Sequence, residues 1–250
     1  MSANFRVLGV IPARYASTRF PGKPLVDIQG QSMIQRVYGQ AKATVELADV
    51  VVATDDERIY QHVEGFGGNV VMTSPDHPSG TDRCREAAEK AQGSFDAVVN
   101  IQGDEPFIQP EQIATLVRCF HHPETHIATL ARRIDAPADL DNPNKVKVAI
   151  GANGHALYFS RYAVPFHRTA EGAERLQQHT YFRHIGLYGY RMEVLKAITE
   201  LAPSPLEKAE SLEQLRWMEH GYHIRVAETT LEAANIDTPA DLQALLASMK

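Results

Sequence analysis

The sequence predicts an α/β protein with a mostly parallel central sheet flanked by helices. Three observations carry this. Short runs rich in apolar and β-branched residues recur at Phe5–Ile11, Asp49–Thr54, Asn69–Met72 and Ala97–Gln102. Strands so uniformly apolar are buried on both faces. Helical periodicities separate these runs, the alternation that covers a parallel sheet on both sides. After His126 the pattern changes to strands with few helices between them. That change fits an antiparallel extension of the sheet, or a small inserted lobe at about 127–191 within a single domain spanning 1–250.

Taken in order, Phe5–Ile11 is the first strand, and Pro12–Leu25 is a shaped loop. Ser32–Thr44 is a helix, with Ser32 as N-cap and Met33, Ile34, Val37, Tyr38 and Ala41 on one face. Asp49–Thr54 is the second strand, and Asp55 or Asp56 caps a helix through Phe66. Asn69–Met72 is the third strand, Thr73–Gly80 a turn-rich loop and Thr81–Ala91 a helix. Ala97–Gln102 is the fourth strand, and Pro110 opens a helix to about Phe120. Ile127–Ile134, Lys145–Ile150, His155–Phe159 and His184–Arg191 read as strands, joined by loops such as Asp135–Asn144 and the Gly151–Gly154 turn. Thr169–Gln178 reads as a mobile loop. Met192–Glu200 is helical, Pro203–Pro205 breaks it, and Leu206–His220 places Leu212, Leu215 and Trp217 on a buried face. Tyr222–Ala227 is a strand. Thr238 caps a closing helix to Met249, with Pro239 at its first position.

Composition excludes several classes. The 25 Lys+Arg stand against 31 Asp+Glu, a net charge of −6, whereas a duplex nucleic-acid binder carries a basic excess. Any positive field must therefore be local. Two cysteines, Cys84 and Cys119, make neither a disulfide framework nor a zinc spacing and read as buried structural thiols. No apolar run approaches the ~20 residues that span a bilayer. The chain opens without the charged-then-apolar pattern of a secretory leader. A reduced, cytoplasmic setting with no membrane partner is expected.

The chemistry concentrates in Pro12–Leu25. This stretch packs Arg14, Arg19 and Lys23 with Ser17, Thr18, Gly22 and three prolines. The prolines fix the backbone and remove donors. A rigid cationic loop at the end of a parallel strand is suited to an anionic ligand, here a nucleoside triphosphate. It is not a P-loop, because Gly22-Lys23 is followed by Pro24. Asn100–Pro106 places Asp104 just past a strand's carboxyl edge, where it can meet a ligand or cap the following segment, and Gly103 permits close backbone approach. Asp237 precedes a helix, where it is favourable to the dipole. Its other reading is convergence with Asp104 on one magnesium ion, which takes one or two carboxylates plus water and phosphate oxygens. Ser79–Arg83 leads a helix: Gly80 and Thr81 offer backbone donors, Arg83 a guanidinium, and Thr81 or Ser79 an N-cap. His121, His122 and His126 gather at a helix end and read as surface residues.

These residues bring the whole chain into resemblance with the 3-deoxy-manno-octulosonate (KDO) cytidylyltransferases, or CMP-KDO synthetases. The matching segments include I-P-A-R-Y-A-S-T-R-F-P-G-K-P-L, V-V-A-T-D-D, H-P-S-G-T-D-R, N-I-Q-G-D-E-P, R-H-I-G-L-Y-G-Y-R, L-E-Q-L-R-W and I-D-T-P-A-D-L. The resemblance implies a Rossmann-like nucleotide-diphospho-sugar transferase fold whose antiparallel extension or lobe serves dimerisation. It implies transfer of CMP from CTP to KDO with release of pyrophosphate, Mg2+ as cofactor, a homodimer and a role in lipopolysaccharide synthesis. By the same resemblance, Arg14, Ser17, Arg19 and Lys23 hold the triphosphate, with Arg83 and Gln102 assisting. Asp104 and Asp237 hold the metal. Gln102, Arg161, His184, Tyr188, Glu213 and Gln214 meet the sugar acid. Arg14, Lys23, Asp104 and Asp237 are the catalytic set. The alternatives are a cytidylyltransferase for 8-amino-KDO or sialic acid, or a non-catalytic nucleotide sensor. The sensor reading would require loss of Asp104, Asp237 or Lys23, and all three are present.

Overall fold

The four apolar runs of the N-terminal part form the strands expected of them. The computed structural model describes residues 5–16, 20–232 and 235–248. It comprises two compact units, Met1–Val117 with Glu232–Lys250, and Arg118–Leu231. The lobe expected at 127–191 falls inside the second.

The first unit contains β1 (Val7–Ala13), a two-residue hairpin of β2 (Asp27–Ile28) and β3 (Gln31–Ser32), and α1 (Met33–Lys42). There follow β4 (Asp49–Thr54), α2 (Glu57–Gly65), β5 (Val70–Met72), α3 (Gly80–Lys90), β6 (Ala97–Asn100) and α4 (Pro110–Arg118). Its sheet is wholly parallel, ordered β6-β1-β4-β5. The central position of β1 explains its composition: Val7, Leu8, Val10 and Ile11 are all buried. The strand runs on through Pro12, past the end of the β1–β6 ladder at Val10–Asn100. There a missing N–H interrupts no ladder bond to β6. Ser32 caps α1 by accepting from Gln35 N, and the buried face is the one read from periodicity. Asp56, not Asp55, caps α2.

The chain returns to this unit at α10 (Pro239–Ser248). Ile236 is buried against Ile28 and Met33, with Phe20, Phe107, Leu242, Leu245 and Leu246 around them. Thr238 Oγ1 accepts from Asp241 N, while Thr238 N donates to Asp241 Oδ2, a reciprocal capping arrangement. Met249, expected in this helix, lies outside the described residues.

The second unit contains β7 (Ile127–Arg133), α5 (Pro137–Asp141), β8 (Lys147–Ile150), β9 (Ala156–Ser160), α6 (Glu174–Gln178) and β10 (Phe182–Arg191). They are followed by α7 (Met192–Ile198), α8 (Pro205–Glu210), α9 (Gln214–Glu219) and β11 (Ile224–Glu228). β11 lies parallel to β7, while the β7–β10, β10–β8 and β8–β9 pairs are antiparallel. The antiparallel pattern expected after His126 is present here. Two local expectations change. Asp135–Asn144 and Thr169–Gln178, read as loops, each contain a five-residue helix, too short to leave a periodic signal. Leu206–His220, whose Leu212, Leu215 and Trp217 are buried as expected, forms two short helices broken at Ser211, whose φ is +52. The break lets Arg216 fold back onto both Glu207 oxygens, at 2.8 and 2.7 Å.

Candidate functional site

At the carboxyl edge of the first unit's sheet, the end of β1, the loops after β1 and β6 and the start of α3 line an open pocket of about 240 Å³. Arg14, Lys23, Gly80, Arg83, Gln102 and Asp104 all contribute to its lining. Two glycines make the shape possible. Gly22 adopts φ +73 and donates its N–H to Tyr15 O at 2.9 Å, which closes the basic loop and starts the tight turn Lys23–Leu25. At Gly103 a Cβ would lie 2.7 Å from Pro12 O, so only glycine lets the loop after β6 approach the end of β1 this closely. Gly103 was read as permitting approach to a ligand, and the closest neighbour is the backbone of β1 at Pro12.

Lys23 Nζ lies 2.8 Å from Asp104 Oδ2 and 3.6 Å from Asp237 Oδ1. The two aspartates come from distant parts of the chain, and Ile236 N donates to Asp104 O at 3.1 Å, joining the segments that carry them. Geometry bears on their other sequence reading, as caps. Thr238 and Asp241 share the cap of α10, while Asp237 turns a carboxylate oxygen toward Lys23. Asp104 accepts from the same ammonium. Two carboxylates thus converge on one cation, here supplied by a side chain. Among the described residues no group of three or more His, Cys, Asp or Glu is arranged to hold a metal. A pair of hard oxygen donors suits magnesium only when phosphate and water complete the shell, so the residues fit that ion together with a nucleotide.

A second charge cluster stands beside the first. Asp55, at the end of β4, accepts from Arg83 Nη2 at 2.7 Å and lies 3.5 Å from Arg14 Nε. Arg83 is 1% exposed and also bonds Thr73 Oγ1. Arg14 donates to Pro75 O and His77 O, at 3.0 and 2.9 Å. The loop supplying those carbonyls is held by Glu86, which accepts from Ser74 N at 2.8 Å and pairs with His77 and Lys90. Burial by itself would raise the Glu86 carboxyl; Lys90, Ser74 N–H and His77 outweigh it and bring it to about 2. Asp55, Thr73 and Glu86 are thus parts of the site that sequence reading missed. The Asp55-Asp56 doublet at a strand end was the available signal: one cap needs only one aspartate. Ser79 caps α3 by accepting from Thr81 N and Asp82 N. The Thr81 donor is therefore spent on the cap, and Gly80 remains on the cavity wall. Ser17 and Arg19 lie outside the described residues.

The expected sugar contacts Arg161, His184, Tyr188, Glu213 and Gln214 belong to the second unit. A register shift in β10 brings two of them together. His184 faces Ala131 and Tyr188 faces Thr129, so residues four apart oppose residues two apart. Their ring centroids are 5.1 Å apart. Thr129 Oγ1 lies 2.8 Å from Leu187 O and 3.2 Å from Ile185 O, and its single proton goes to a carbonyl. It therefore accepts from His184 Nε2 at 2.9 Å, leaving His184 Nδ1 as an acceptor. Burial pushes this imidazole down to about 3, so it is neutral at ordinary pH. Burial, then the Glu213 charge, raises the Tyr188 phenol well above its usual range. Its hydroxyl is buried without a partner among the described residues, as is Trp217 Nε1, and the two rings meet edge-on at 5.2 Å. Glu213 lies 3.7 Å from Arg216, and Gln214, which opens α9, is buried. Arg161 donates to the carbonyls of Glu210, Pro143 and Ser211, at 2.6, 3.1 and 3.2 Å. Two of its five N–H groups remain for a ligand. His121, His122 and His126 are exposed, and Cys84 and Cys119 are buried, as expected. No helix among the described residues is long and apolar enough to cross a membrane.

Comparison with known proteins agrees with this arrangement. A cytidylyltransferase family model matches residues 8–226. The 3-deoxy-manno-octulosonate cytidylyltransferase of Cytophaga hutchinsonii is 56% identical over 243 residues, covering 97% of each chain. That of Bacteroides thetaiotaomicron is 57% identical over 241 residues, covering 95% of this chain and 96% of its own. Among solved structures, CMP:2-keto-3-deoxy-manno-octonic acid synthetase in complex with CTP superposes with a TM-score of 0.91 at 43% identity, covering 98% of each chain. A 4-diphosphocytidyl-2C-methyl-D-erythritol synthase from Anaerococcus prevotii shares the fold alone, with a TM-score of 0.64 at 11% identity and 98% of each chain covered.

Proposed function

Since the chain belongs to the cytidylyltransferase family, we propose that it transfers CMP from CTP to the anomeric C2 hydroxyl of KDO and releases pyrophosphate. The observation that carries this is the cavity in which Arg14 and Lys23 stand beside two aspartates converging on one cation. CTP binds in the first unit, met by Arg14, Ser17, Arg19, Lys23, Gly80, Arg83 and Gln102. Asp104 and Asp237 hold Mg2+, which when bound supplies positive charge against the phosphate oxygens.

The obstacle to reaction is charge, because a sugar carboxylate must approach a triphosphate. Arg14, Arg19 and Lys23 neutralise the attacked phosphate and the departing pyrophosphate. Positioning two bound substrates is worth ~7–11 kcal/mol in favourable cases. General-base catalysis supplies only ~10²–10⁴-fold, so charge and positioning carry the larger share. The sugar acid is met in the second unit. The two remaining Arg161 donors suit its carboxylate; Glu213, Gln214, His184 Nδ1 and the Tyr188 hydroxyl suit its hydroxyls. The unpartnered Tyr188 hydroxyl supports this, because a buried polar group without a partner is costly unless a ligand supplies one.

The protein acts in the cytoplasm, in lipopolysaccharide synthesis, as a homodimer. The exposed Leu157, Tyr162 and Phe166 of the second unit are the kind of surface a subunit contact covers. The decisive assay is pyrophosphate release with CTP and each sugar acid in turn: KDO, 8-amino-KDO and sialic acid. KDO is expected to turn over fastest, and faster turnover of either competitor would reassign the acceptor. Asp237→Asn is expected to lower turnover by about a hundredfold or more. Wild-type turnover in that variant at saturating Mg2+ would remove Asp237 from the metal site.

A further inference from the structure

Asp104 and Asp237 are held side by side by main-chain packing. Ile236 is buried, and its N–H bonds Asp104 O, so the two carboxylates cannot simply separate. Like charges fixed in one place require a cation. Lys23 provides it, with an ammonium 2.8 Å from one carboxylate and 3.6 Å from the other. The backbone of Lys23 is tied down: Gly22 N bonds Tyr15 O, Leu25 N bonds Gly22 O, and Val26 N bonds Lys23 O. Its four-carbon stem is the flexible part. Lys23 also lines the cavity with Arg14, Gly80 and Gln102. An anion in that cavity competes with the aspartates for the ammonium.

We propose that Lys23 is an exchangeable internal cation: it neutralises Asp104 and Asp237 until a triphosphate draws its ammonium away, and a divalent cation then takes its place. This rests on the nucleotide and metal reading above. The consequence is coupling. The site disfavours a divalent cation alone, because the cation must displace a lysine already paired with both carboxylates. A triphosphate gives the lysine a new partner and adds ligands to the metal. By linkage, the metal tightens triphosphate binding by the same factor. The protein thereby takes up its metal with the nucleotide rather than before it.

The test is titration of the intact protein with Mn2+, followed by electron paramagnetic resonance without sugar. Wild type is expected to bind Mn2+ weakly alone and tightly with CTP. Lys23→Met, with Lys23→Gln as a second variant should the first fail to fold, is expected to bind Mn2+ alone about tenfold or more tightly than wild type. Lys42→Met removes the same charge where it pairs with Asp49 and is expected to leave Mn2+ binding unchanged. Equal Mn2+ affinity of wild type and both Lys23 variants, with the CTP-supported site intact, overturns the exchange and leaves the metal reading standing. Failure to bind Mn2+ even with CTP, or binding unaffected by Asp237→Asn, overturns the metal reading itself.

Discussion

Asp55 shows how one carboxylate can organise a site without being its chemistry. It stands between Arg14 and Arg83, fixing one guanidinium at 2.7 Å and drawing the other to 3.5 Å. Arg83 is almost fully buried, and a buried guanidinium without its counter-charge is strongly unfavourable. Asp55→Asn preserves volume and removes the charge. It is expected to cost about 3 kcal/mol in urea unfolding. It should also raise the CTP KM while leaving the KDO KM near its wild-type value. A variant with unchanged CTP KM would show that Asp55 serves stability alone. Sequence reading could place an aspartate doublet after β4, and it could not tell which member turned inward. That choice follows from Asp56 taking the α2 cap and leaving Asp55 to the arginines.

The elements of the first unit place side chains by where they end. β1 and β6 run to the same edge, and the loop after β6 touches the end of β1 at Gly103 and Pro12. Gly103→Ala would put a methyl 2.7 Å from a main-chain oxygen, which cannot rotate aside. The loop and the strand end must move apart, at a cost of about 1–3 kcal/mol. Asp104 would move with them, so weaker Mn2+ binding in the presence of CTP is expected. If calorimetry found Mn2+ and CTP binding as in wild type, the contact would be irrelevant to the site. In the second unit the decisive element feature is the register shift in β10, which sets His184 beside Tyr188. Gly186 within R-H-I-G-L-Y-G-Y-R can signal a bulge, but the register it allows depends on how β10 meets β7. The break at Ser211 is hidden: it arises from pairing between Glu207 and Arg216, residues that a continuous helix would separate.

At the scale of the whole molecule, two shifted ionisable groups, the buried His184 and the partly exposed Glu86, make the fold sensitive to acid. His184 is brought from 6.5 to about 3 by burial. Between those values the unfolded chain carries a proton at this position and the folded chain does not, so stability falls as pH drops. Glu86 is brought from 4.5 to about 2, so its contribution is complete above 4.5 and is lost as pH falls toward 2. Both act in one direction. The thermal midpoint is expected to decline below about pH 6.5 and to steepen below about 4.5. His184→Asn should flatten the upper part of that decline. A profile level from pH 6.5 to 4.5 in wild type, or an unchanged slope in the variant, would show that His184 is not buried as neutral imidazole.

Local chemistry was legible in the sequence. Strands, helices, caps and the cationic loop follow from residue type and spacing, because periodicity, proline and glycine geometry and N-cap preference act over a few residues. So Ser32 caps α1, Thr238 caps α10, and the first unit's strands appear where the apolar runs lie. The sequence also singled out Lys23, Asp104 and Asp237, which the fold brings together. What it could not decide was who meets whom across long separations. Lys23 between Asp104 and Asp237, Asp55 between two arginines, and His184 against Tyr188 are encounters made by packing and register. Such contacts are determined by the global arrangement of strands and loops, and a linear pattern carries no distance information beyond a turn or two of chain.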